Sequence, residues 1–481
     1  MCITRRCILK KLTILSLIII FIVIIILTSM IVFPDNESKN INKWIKTTPS
    51  ETELDPELLF KMEKDIKNNK FANIHSVLIV RKGKLVFETY ANGYTKTKQQ
   101  YTASVSKSVG SILVGIAMDK NFIPDLKEGL LKKPLGEIYP RYKKLIASDN
   151  AKNSLTFHHV LSMSSGIQWD EHSFPYSDSR NDWNQAQGSK DPIKFLLGRQ
   201  ITSKPGSTFY YNGALSLMMS ELITQDTGEP ADKLGDKYLF APLGISDYRW
   251  NSLSNGLTDM AGGLYLLPRD MAKIGLLYLN KGKWNGKQIV SPEWVEISTK
   301  AHMVNKNSPD YGYQWWCGDF YFDSKKVKTF LASGHGGQRI HIFPDLDMVV
   351  VITQQVFNNP MGHMNPIILL SNYILPSAFR ENKKIIHSNP SKDKLKKYIG
   401  RYKFQKDVFD CYIKDGNLVL DDSQKLPLRL IFKGGTRFTG LYNKLLRVEC
   451  VFESDKEGKI TGMTSSFGFR KNYTPKIEKE G

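Results

Sequence analysis

The sequence is poor in cysteine and lacks the short motifs of metal and nucleotide sites. Its five cysteines form no CxxC pair and no cysteine–histidine ligand spacing, so it indicates no structural zinc site. It contains no HExxH, no GxSxG, no Walker loop, no dinucleotide-binding glycine loop and no internal repeat. These absences argue against a zinc peptidase, an α/β-hydrolase nucleophile elbow and a nucleotide-dependent enzyme. We therefore expect neither a metal nor a cofactor.

The chain also lacks a dense basic arm, although it is strongly basic. Lys and Arg total 67 against 47 Asp and Glu, a formal net charge of +20 over 481 residues. These cations are spread along the whole chain. They indicate a solvated lysine-rich surface, with affinity for an anionic cell envelope or for nucleic acid as alternatives. The length predicts two or three domains, and 41% hydrophobic and 24% charged residues are typical of a globular chain.

An uncharged apolar run covers residues 12–33. Its length suffices for a helix that crosses the hydrocarbon core, and no A-x-A cleavage site follows, which favours an uncleaved anchor over a cleaved signal peptide. Four Lys and Arg residues precede the run, and the positive flank stays inside. We expect a cytoplasmic tail at 1–11, one transmembrane helix, and an extracytoplasmic body at the cell membrane. In that location a disulfide between Cys411 and Cys450 is compatible with the sequence.

The remaining chain divides by composition and periodicity. Residues 34–55 are polar and are predicted as a stalk. Apolar hairpins at 75–90 and 340–353 flank a helix-rich stretch, and together they predict a sheet closed by its two terminal hairpins. This is an α/β (α+β) domain over 56–385. The pair Asp55-Pro56 opens its first helix. A lysine-rich linker and short alternating segments then predict a small β-rich domain over 394–475.

Ser104 and Lys107 form an SxxK tetrapeptide that opens an apolar helix predicted over 104–119. Residues i and i+3 share a helix face, so the hydroxyl and the amine can meet. A desolvated lysine can take the serine proton. A second SxxK, from Ser391 to Lys394, lies in the lysine-rich linker where no pocket is expected. The tetrapeptide alone is therefore not specific, and the buried helix favours Ser104 as the nucleophile.

Two further segments carry candidate chemistry. PGSTFYYNG at 205–213 contains adjacent tyrosines and leads into a helix predicted over 209–226. A tyrosine beside a cation can act as a general base, and two core tyrosines are the alternative. GHGGQ at 334–338 precedes the second hairpin. Glycines there let the backbone approach a ligand, so an N–H group could join that of the serine in an oxyanion hole. A plain glycine-rich turn is the alternative.

The order of these motifs resembles the serine β-lactamase and penicillin-binding-protein superfamily, and in particular its class C-like branch of esterases, D-amino peptidases and 6-aminohexanoate-dimer hydrolases. Four more stretches are similar to that branch: LTFHHVLSMSSGIQWDE at 155–171, LFAPLGI at 239–245, GGLYLLPRDMAKIG at 262–275 and YGYQWW at 311–316. The resemblance covers about residues 56–380. It implies an antiparallel β-lactamase/transpeptidase-like sheet flanked by helices, with a helical subdomain.

The resemblance also implies residue roles. Ser104 matches the nucleophile and Lys107 its partner. The family spacing PG-x-x-F-x-Y selects Tyr211 as the catalytic tyrosine, whereas a literal YxN begins at Tyr210. Gly213 then stands where the family usually has Asn or Ser. His335 stands where β-lactamases carry a carboxylate-binding lysine, which argues against efficient β-lactam hydrolysis.

A second set of residues is assigned to the oxyanion hole or the substrate walls. Gly337 is the expected second oxyanion donor beside Ser104. The other expected contacts are Gly336, His335, Asn212, Trp169, Trp315 and Trp316, and ordinary packing is the alternative for the three tryptophans.

We therefore predict a membrane-anchored, extracytoplasmic serine hydrolase that forms an acyl-enzyme on Ser104. Its substrate would be a small amide or ester or a cell-wall peptide. The alternative is a catalytically weak or inactive penicillin-binding-like envelope protein that binds peptidoglycan-type ligands. The predicted external location argues against a nucleic-acid partner. The sequence leaves the natural substrate and the oligomeric state open.

Overall fold

The computed structural model describes most of the chain after the predicted membrane segment. The described residues are 44–71, 73–125, 127–305, 309–322, 325–357, 360–379, 390–421, 427–442 and 446–477. The predicted tail, the predicted membrane helix at 12–33 and the first part of the predicted stalk lie outside them. In the described ranges, no helix combines the length and the apolar character that crossing a bilayer requires. Contacts group residues 44–481 into one unit.

The first twelve strands in chain order form the central sheet and two small sheets. The strands are β1 (Ile74–Arg81), β2 (Lys84–Tyr90), β3 (Gln100–Tyr101), β4 (Arg249–Trp250), β5 (Leu264–Leu266), β6 (Lys283–Trp284), β7 (Lys287–Gln288), β8 (Asp310–Tyr311), β9 (Trp316–Phe322), β10 (Lys325–Gly334), β11 (Gln338–Phe343) and β12 (Met348–Gln354). The main sheet is antiparallel in the order β2-β1-β12-β11-β10-β9-β8. Val77 of β1 faces Ile352 of β12, so the two terminal hairpins close the sheet as predicted.

Helices cover the sheet and build a helical subdomain between β3 and β8. The α-helices are α1 (Pro56–Lys67), α2 (Val105–Asp119), α3 (Leu135–Ile138), α4 (Lys143–Ala147), α5 (Asn150–Asn153), α6 (Phe157–Leu161), α7 (Asp182–Gly188), α8 (Pro192–Leu197), α9 (Leu215–Thr227), α10 (Ala231–Gly235), α11 (Pro268–Leu279), α12 (Pro292–Thr299), α13 (Pro360–His363), α14 (Asn365–Leu369), α15 (Leu375–Ala378) and α16 (Lys392–Lys396). Short 3-10 or π turns occur at Ser50–Thr52, Leu130–Lys132, Pro140–Tyr142, Asp236–Phe240, Pro344–Leu346 and Leu370–Ile374.

Local signals explain the helices that matter most. The Asp55 carboxylate accepts a hydrogen bond from the Glu57 N–H (2.9 Å) and caps α1, whose first residue is Pro56, as predicted. Helix α2 follows Ser104 and is buried over nearly its whole length. A Cβ at Gly115 would lie 2.2 Å from the Trp294 ring, so only glycine allows α12 to pack this close to α2.

The helix predicted over 209–226 begins later than expected. Helix α9 starts at Leu215, because the Asn212 side-chain oxygen accepts the Ala214 N–H (3.1 Å) and the Gly213 N–H donates to Glu171 (2.7 Å). These bonds satisfy backbone donors at the start of the helix from outside it. Tyr211 therefore lies in a loop, where its side chain is not restricted to a helix face.

The C-terminal segment forms a closed eight-stranded antiparallel barrel, which makes the predicted β-rich region more specific. Its strands are β13 (Gly400–Phe404), β14 (Asp407–Lys414), β15 (Asn417–Asp421), β16 (Leu428–Gly434), β17 (Arg437–Tyr442), β18 (Leu446–Ser454), β19 (Ile460–Phe467) and β20 (Arg470–Ile477). Cys411 and Cys450 are buried in it as free thiols, so the structure does not contain the disulfide that the sequence allows.

Residues 44–55, which the sequence places in a polar stalk, lie against the sheet instead. The Leu85 N–H of β2 donates to the Ile45 carbonyl (2.9 Å), and the Thr47 N–H donates to the Leu85 carbonyl (3.3 Å). Leu54 is fully buried in the core that α1 shares with the sheet. An apolar side chain and edge pairing thus outweigh the polar composition of this segment.

The barrel packs on the sheet face opposite α2. The Tyr321 N–H donates to the Gly468 carbonyl (2.6 Å), and the Phe469 ring meets Phe320 edge-on at 5.3 Å. His341 of β11 stacks against Phe343 and Phe469 at this junction, at 5.8 and 6.2 Å. It is 1% exposed, and neither ring nitrogen has a hydrogen-bond partner among the residues that the structure describes. Burial, and next Arg339, lower the pKa of His341 to about 3.

We expect His341→Phe to raise the free energy of unfolding by about 1–3 kcal/mol at pH 7, because it removes two unsatisfied buried nitrogens and keeps the stacking. Unfolded, His341 takes up a proton near its usual pKa of about 6.5, whereas in the folded protein its pKa is about 3. Between these values the unfolded state binds more protons, so stability falls with falling pH. Urea unfolding from pH 7 to pH 4 should show a smaller acid loss in the variant. Equal acid loss in both proteins would contradict the account.

Candidate active site

Ser104 lies at a cavity of about 1000 Å³ between the sheet and the helical subdomain. The residue before it, Ala103, has φ +49°, a left-handed backbone conformation that costs energy for a residue with a Cβ. A Cβ at Gly334 would lie 2.2 Å from the Thr102 carbonyl, so the end of β10 packs directly beside this turn. The strained turn presents the serine hydroxyl at the cavity, immediately before the first turn of α2.

Lys107 lies one helical turn after Ser104, and its Nζ is 3.2 Å from the Ser104 Oγ. The Nζ group also donates to the Ala261 carbonyl (2.5 Å), and the residue is 4% exposed. Asp259 accepts the N–H groups of Ala261 and Gly262 (3.0 Å each). Burial raises the pKa of the Asp259 carboxyl, and the charge of Lys107 opposes the rise. The fold thus holds a buried amine against the hydroxyl, and the hydrogen bonds recorded for this amine in the described residues go to oxygens of Ser104 and Ala261 and not to a carboxylate.

The structure distinguishes the two candidate tyrosines. Tyr211 lines the cavity, its ring lies 5.2 Å from the Lys107 Nζ, and it stacks on Trp316 at 6.0 Å. Tyr210 is 45% exposed and does not belong to the cavity wall. Tyr211 therefore shares the cavity with Ser104 and Lys107, and the literal YxN position does not.

Glu171 is a cavity residue that the sequence did not single out. It is 2% exposed, and its carboxylate accepts hydrogen bonds from Trp169 Nε1 (2.6 Å), the Gly213 N–H (2.7 Å) and the Tyr176 hydroxyl (3.1 Å). A Cβ at Gly213 would lie 2.9 Å from the Glu171 Oε2. The departure from Asn or Ser at position 213 is thus explained, because the carboxylate occupies that space. Burial, with Glu171 next in effect, raises the pKa of Tyr176.

The GHGGQ turn differs from the expectation at Gly337. The Gly337 N–H donates to the Gly334 carbonyl (3.1 Å) and closes the turn, and neither Gly336 nor Gly337 lines the cavity. Gly337 is therefore not available as an oxyanion donor. His335 does line the cavity, and its N–H has no acceptor among the described residues. Burial, with His363 and Arg339 next, lowers the pKa of its imidazole.

The remaining predicted wall residues separate into one that faces the cavity and three that do not. Trp316 lines it. Trp169 is bonded to Glu171, and Trp315 is fully buried against Tyr278 with ring centroids 4.4 Å apart. Asn212 is 1% exposed, and its side-chain oxygen accepts the N–H of Ala214, the residue just before α9. These three residues support the site from outside the cavity.

Arg339 is a second cavity residue that the sequence did not single out. Its Nη1 donates to the carbonyls of Gly334 and Gln338 (2.9 Å each), and no acidic side chain of the described residues pairs with it. Burial lowers its pKa to about 10, which leaves the guanidinium charged at neutral pH. An arginine in the otherwise apolar strand RIHIF was the signal that could have revealed it. In the described part of the chain, no group of three or more His, Cys, Asp or Glu side chains could hold a metal ion.

Comparison with known proteins identifies the family of the chain. The family model named Beta-lactamase matches residues 75–371. The 6-aminohexanoate-dimer hydrolase of Paenarthrobacter ureafaciens is 23% identical over 294 residues, which are 57% of this chain and 70% of the relative. An uncharacterized protein of Alkalihalophilus pseudofirmus is 23% identical over 194 residues, 34% of this chain. The chain spans 57% of that relative's length.

A solved structure shows the shared fold. The octameric penicillin-binding protein homologue from Pyrococcus abyssi superposes with a TM-score of 0.50 and 17% identity, over 87% of this chain and 99% of that chain. The resemblance inferred from the order of motifs is confirmed. Because the family model matches more than half of the residues, the chain belongs to the beta-lactamase family of serine hydrolases.

Proposed function

We propose that this protein cleaves an amide or ester bond through an acyl-enzyme on Ser104. The observation that carries the proposal is the 3.2 Å contact between the Lys107 Nζ and the Ser104 Oγ at the cavity that Tyr211 also lines. A nucleophile and a base within hydrogen-bond reach are the recurring signature of covalent catalysis.

In the proposed reaction, the Ser104 Oγ attacks the substrate carbonyl and its proton passes to the neutral amine of Lys107 or to the Tyr211 oxygen. The same groups return the proton to the leaving amine or alcohol as the carbon–heteroatom bond breaks. Water then attacks the acyl carbon and gives a proton to the same base; the bond to the Ser104 Oγ breaks, the base returns the proton to that oxygen, and the acid is released.

Two backbone N–H groups are suited to hold the oxyanion. The Ser104 N–H precedes α2, and neither it nor the His335 N–H has an acceptor among the described residues. Donors that are fixed before the reaction stabilise the charge that develops on the carbonyl oxygen. We assign this role to Ser104 and His335, in place of the expected Gly337.

The charges around the cavity favour an anionic substrate. Arg339 lines it together with His172, His335 and His363, and Glu171 is the only carboxylate among the described lining residues. Glu171 already accepts three hydrogen bonds, whereas Arg339 has no carboxylate partner in the part of the chain that the structure describes. A substrate with a carboxylate, such as a cell-wall peptide, would pair with Arg339.

We therefore expect Arg339→Met to raise the KM of a carboxylate-bearing ester by about tenfold or more, a loss of about 1.4 kcal/mol of binding. The KM of a neutral ester of the same size should change by less than about threefold. Arg249→Met is the matched control, because Arg249 is exposed and lies over the Tyr265 ring outside the cavity. Equal changes for both esters would contradict an anion-binding role.

We also propose that residues 12–33 anchor the protein in the cell membrane with its body outside. The uncharged run and its basic flank support this location. Protease added to intact cells should degrade the body. Protection in intact cells with degradation in lysed cells would contradict this orientation.

Stopped-flow hydrolysis of an activated ester tests the acyl-enzyme directly. A rapid release of about one equivalent of alcohol, followed by slower turnover, is expected when deacylation is slower than acylation. Binding of a peptidoglycan-type ligand without any release of alcohol would instead favour the non-catalytic alternative.

A further inference from the structure

The GHGGQ motif contributes two residues, Gly334 and His335, to the cavity wall, and its last three residues do not line the cavity. Gly336, Gly337 and Gln338 all contact the segment that begins at the end of β12. A Cβ at Gly336 would lie 2.8 Å from the Phe357 ring, and the Gly336 carbonyl accepts the Val356 N–H (3.1 Å). The motif therefore also packs against the segment that follows β12.

Gln354, the last residue of β12, lies directly against Gly337. Gly337 has φ +102°, and a Cβ there would lie 1.9 Å from the Gln354 Nε2 and 2.4 Å from its Cγ. The Gln338 Nε2 donates to the Gln354 carbonyl. The backbone and side chain of Gln354 thus contact both Gly337 and Gln338. At position 337 only glycine leaves room for this close approach.

The Gln354 amide is itself fixed on its other side. Its Nε2 donates to the Gly362 carbonyl (3.0 Å), and its Oε1 accepts from the Asn365 Nδ2 (3.1 Å). The residue is fully buried. A buried amide with both a donor and an acceptor bond has one orientation, because either bond would be lost on a flip.

We propose that Gln354 is a positioning residue that holds the 334–338 turn so that the His335 N–H faces the cavity. This inference rests on the proposed function, since it assigns a role to the donor of the oxyanion hole. Within the turn, the Gly337 N–H donates to the Gly334 carbonyl, whereas His335 lines the cavity and its N–H has no acceptor among the described residues. Stabilisation of an oxyanion depends on donors held within a few tenths of an ångström before the reaction.

The effect of Gln354 on the rate should differ from that of a residue needed only for stability. Oxyanion bonds are strongest in the transition state, so their loss lowers kcat and leaves KM nearly unchanged. The proton transfers of Lys107 and Tyr211 do not involve Gln354, so the pH profile of kcat should keep its shape. A residue that only stabilises the fold would lower the melting temperature and leave kcat per folded molecule unchanged.

Gln354→Leu removes both amide bonds and keeps the buried volume. Gln355→Leu is the matched control, because its neighbouring side chain contacts Tyr94 (3.3 Å) and none of the GHGGQ residues. We expect kcat for ester hydrolysis to fall by about 10- to 100-fold in Gln354→Leu, with KM within about threefold and an unchanged pH profile. We expect less than a threefold change in kcat for Gln355→Leu.

A second variant covers the case in which Gln354→Leu does not fold. Asn365→Ala removes one of the two bonds to the amide and should lower kcat by about threefold or more. Full kcat in folded Gln354→Leu, or in Asn365→Ala where the first variant does not fold, would overturn the inference. An equal kcat loss in Gln355→Leu would also overturn it. Wild-type protein with no serine-dependent turnover at all would overturn the proposed function instead, so the two failures are distinguishable.

Discussion

Replacing Ser104 with Ala is expected to lower ester hydrolysis by about 10⁴-fold or more, while Ser391→Ala leaves it unchanged. Both serines begin an SxxK sequence, so the pair of variants tests whether the fold rather than the tetrapeptide makes the nucleophile. Ser104 meets the Lys107 Nζ at 3.2 Å beside the cavity. Removing its hydroxyl removes the only atom that can form the proposed acyl bond.

Ser391 is a helix cap at the surface of the protein. It is exposed, and its Oγ accepts the Lys394 N–H (3.5 Å) as the cap of the five-residue helix α16. Its replacement should cost about 1 kcal/mol of local helix stability and no activity. The rate at which each purified variant hydrolyses a chromogenic ester tests this assignment. Comparable losses in both, or full activity in Ser104→Ala, would contradict the assignment.

Tyr211→Phe is expected to lower kcat by about 10²- to 10⁴-fold, the usual contribution of a general acid–base group. The change keeps the ring that stacks on Trp316, so the loss reports the hydroxyl and not the packing. Tyr210→Phe is the matched control. Its ring is 45% exposed outside the cavity, and we expect its kcat to change by less than about tenfold, roughly 1.4 kcal/mol of barrier.

Steady-state kinetics with an amide and an ester substrate would separate the outcomes. A larger loss in Tyr210→Phe than in Tyr211→Phe would mean that the loop presents the other tyrosine during turnover. Full activity in both variants would leave Lys107 as the base without tyrosine. Both results contradict the proposed role of Tyr211.

The sequence predicted those parts of the fold that have local signals. An Asp-Pro pair indicated the start of α1, apolar strand segments indicated the two hairpins, and an apolar stretch rich in small residues indicated α2. Closure of the barrel could not be predicted, because strand alternation specifies which residues face inward and not which strands pair. The segment at 44–55 was misassigned since its edge pairing with β2 is not visible in composition.

The candidate site was predictable where one short segment carries the geometry. Ser104 and Lys107 are one turn apart on α2, so their meeting follows from helix spacing. Glu171 and Arg339 reach the cavity from a loop and a distant strand, and no local pattern assigns them. The structure uses the Gly337 N–H to close its own turn by donating to the Gly334 carbonyl, a bond that the motif alone does not reveal.

The barrel belongs to the same hydrophobic core as the outer face of the sheet. Phe320, Phe343 and Phe438 are members of one cluster of buried side chains that extends from α1 to the barrel interior. The barrel contacts β9 and β11 on the face away from α2, so it supports the strands that carry the GHGGQ turn from behind.

The account is tested most directly by the mass of the intact protein after reaction with a fluorophosphonate probe. We expect one adduct per chain, on Ser104 by peptide mapping, with none in Ser104→Ala. The Ser391→Ala variant should be labelled as fully as the wild type. An unlabelled wild-type protein, or an adduct on any residue other than Ser104, would contradict the central claim that Ser104 is an activated nucleophile.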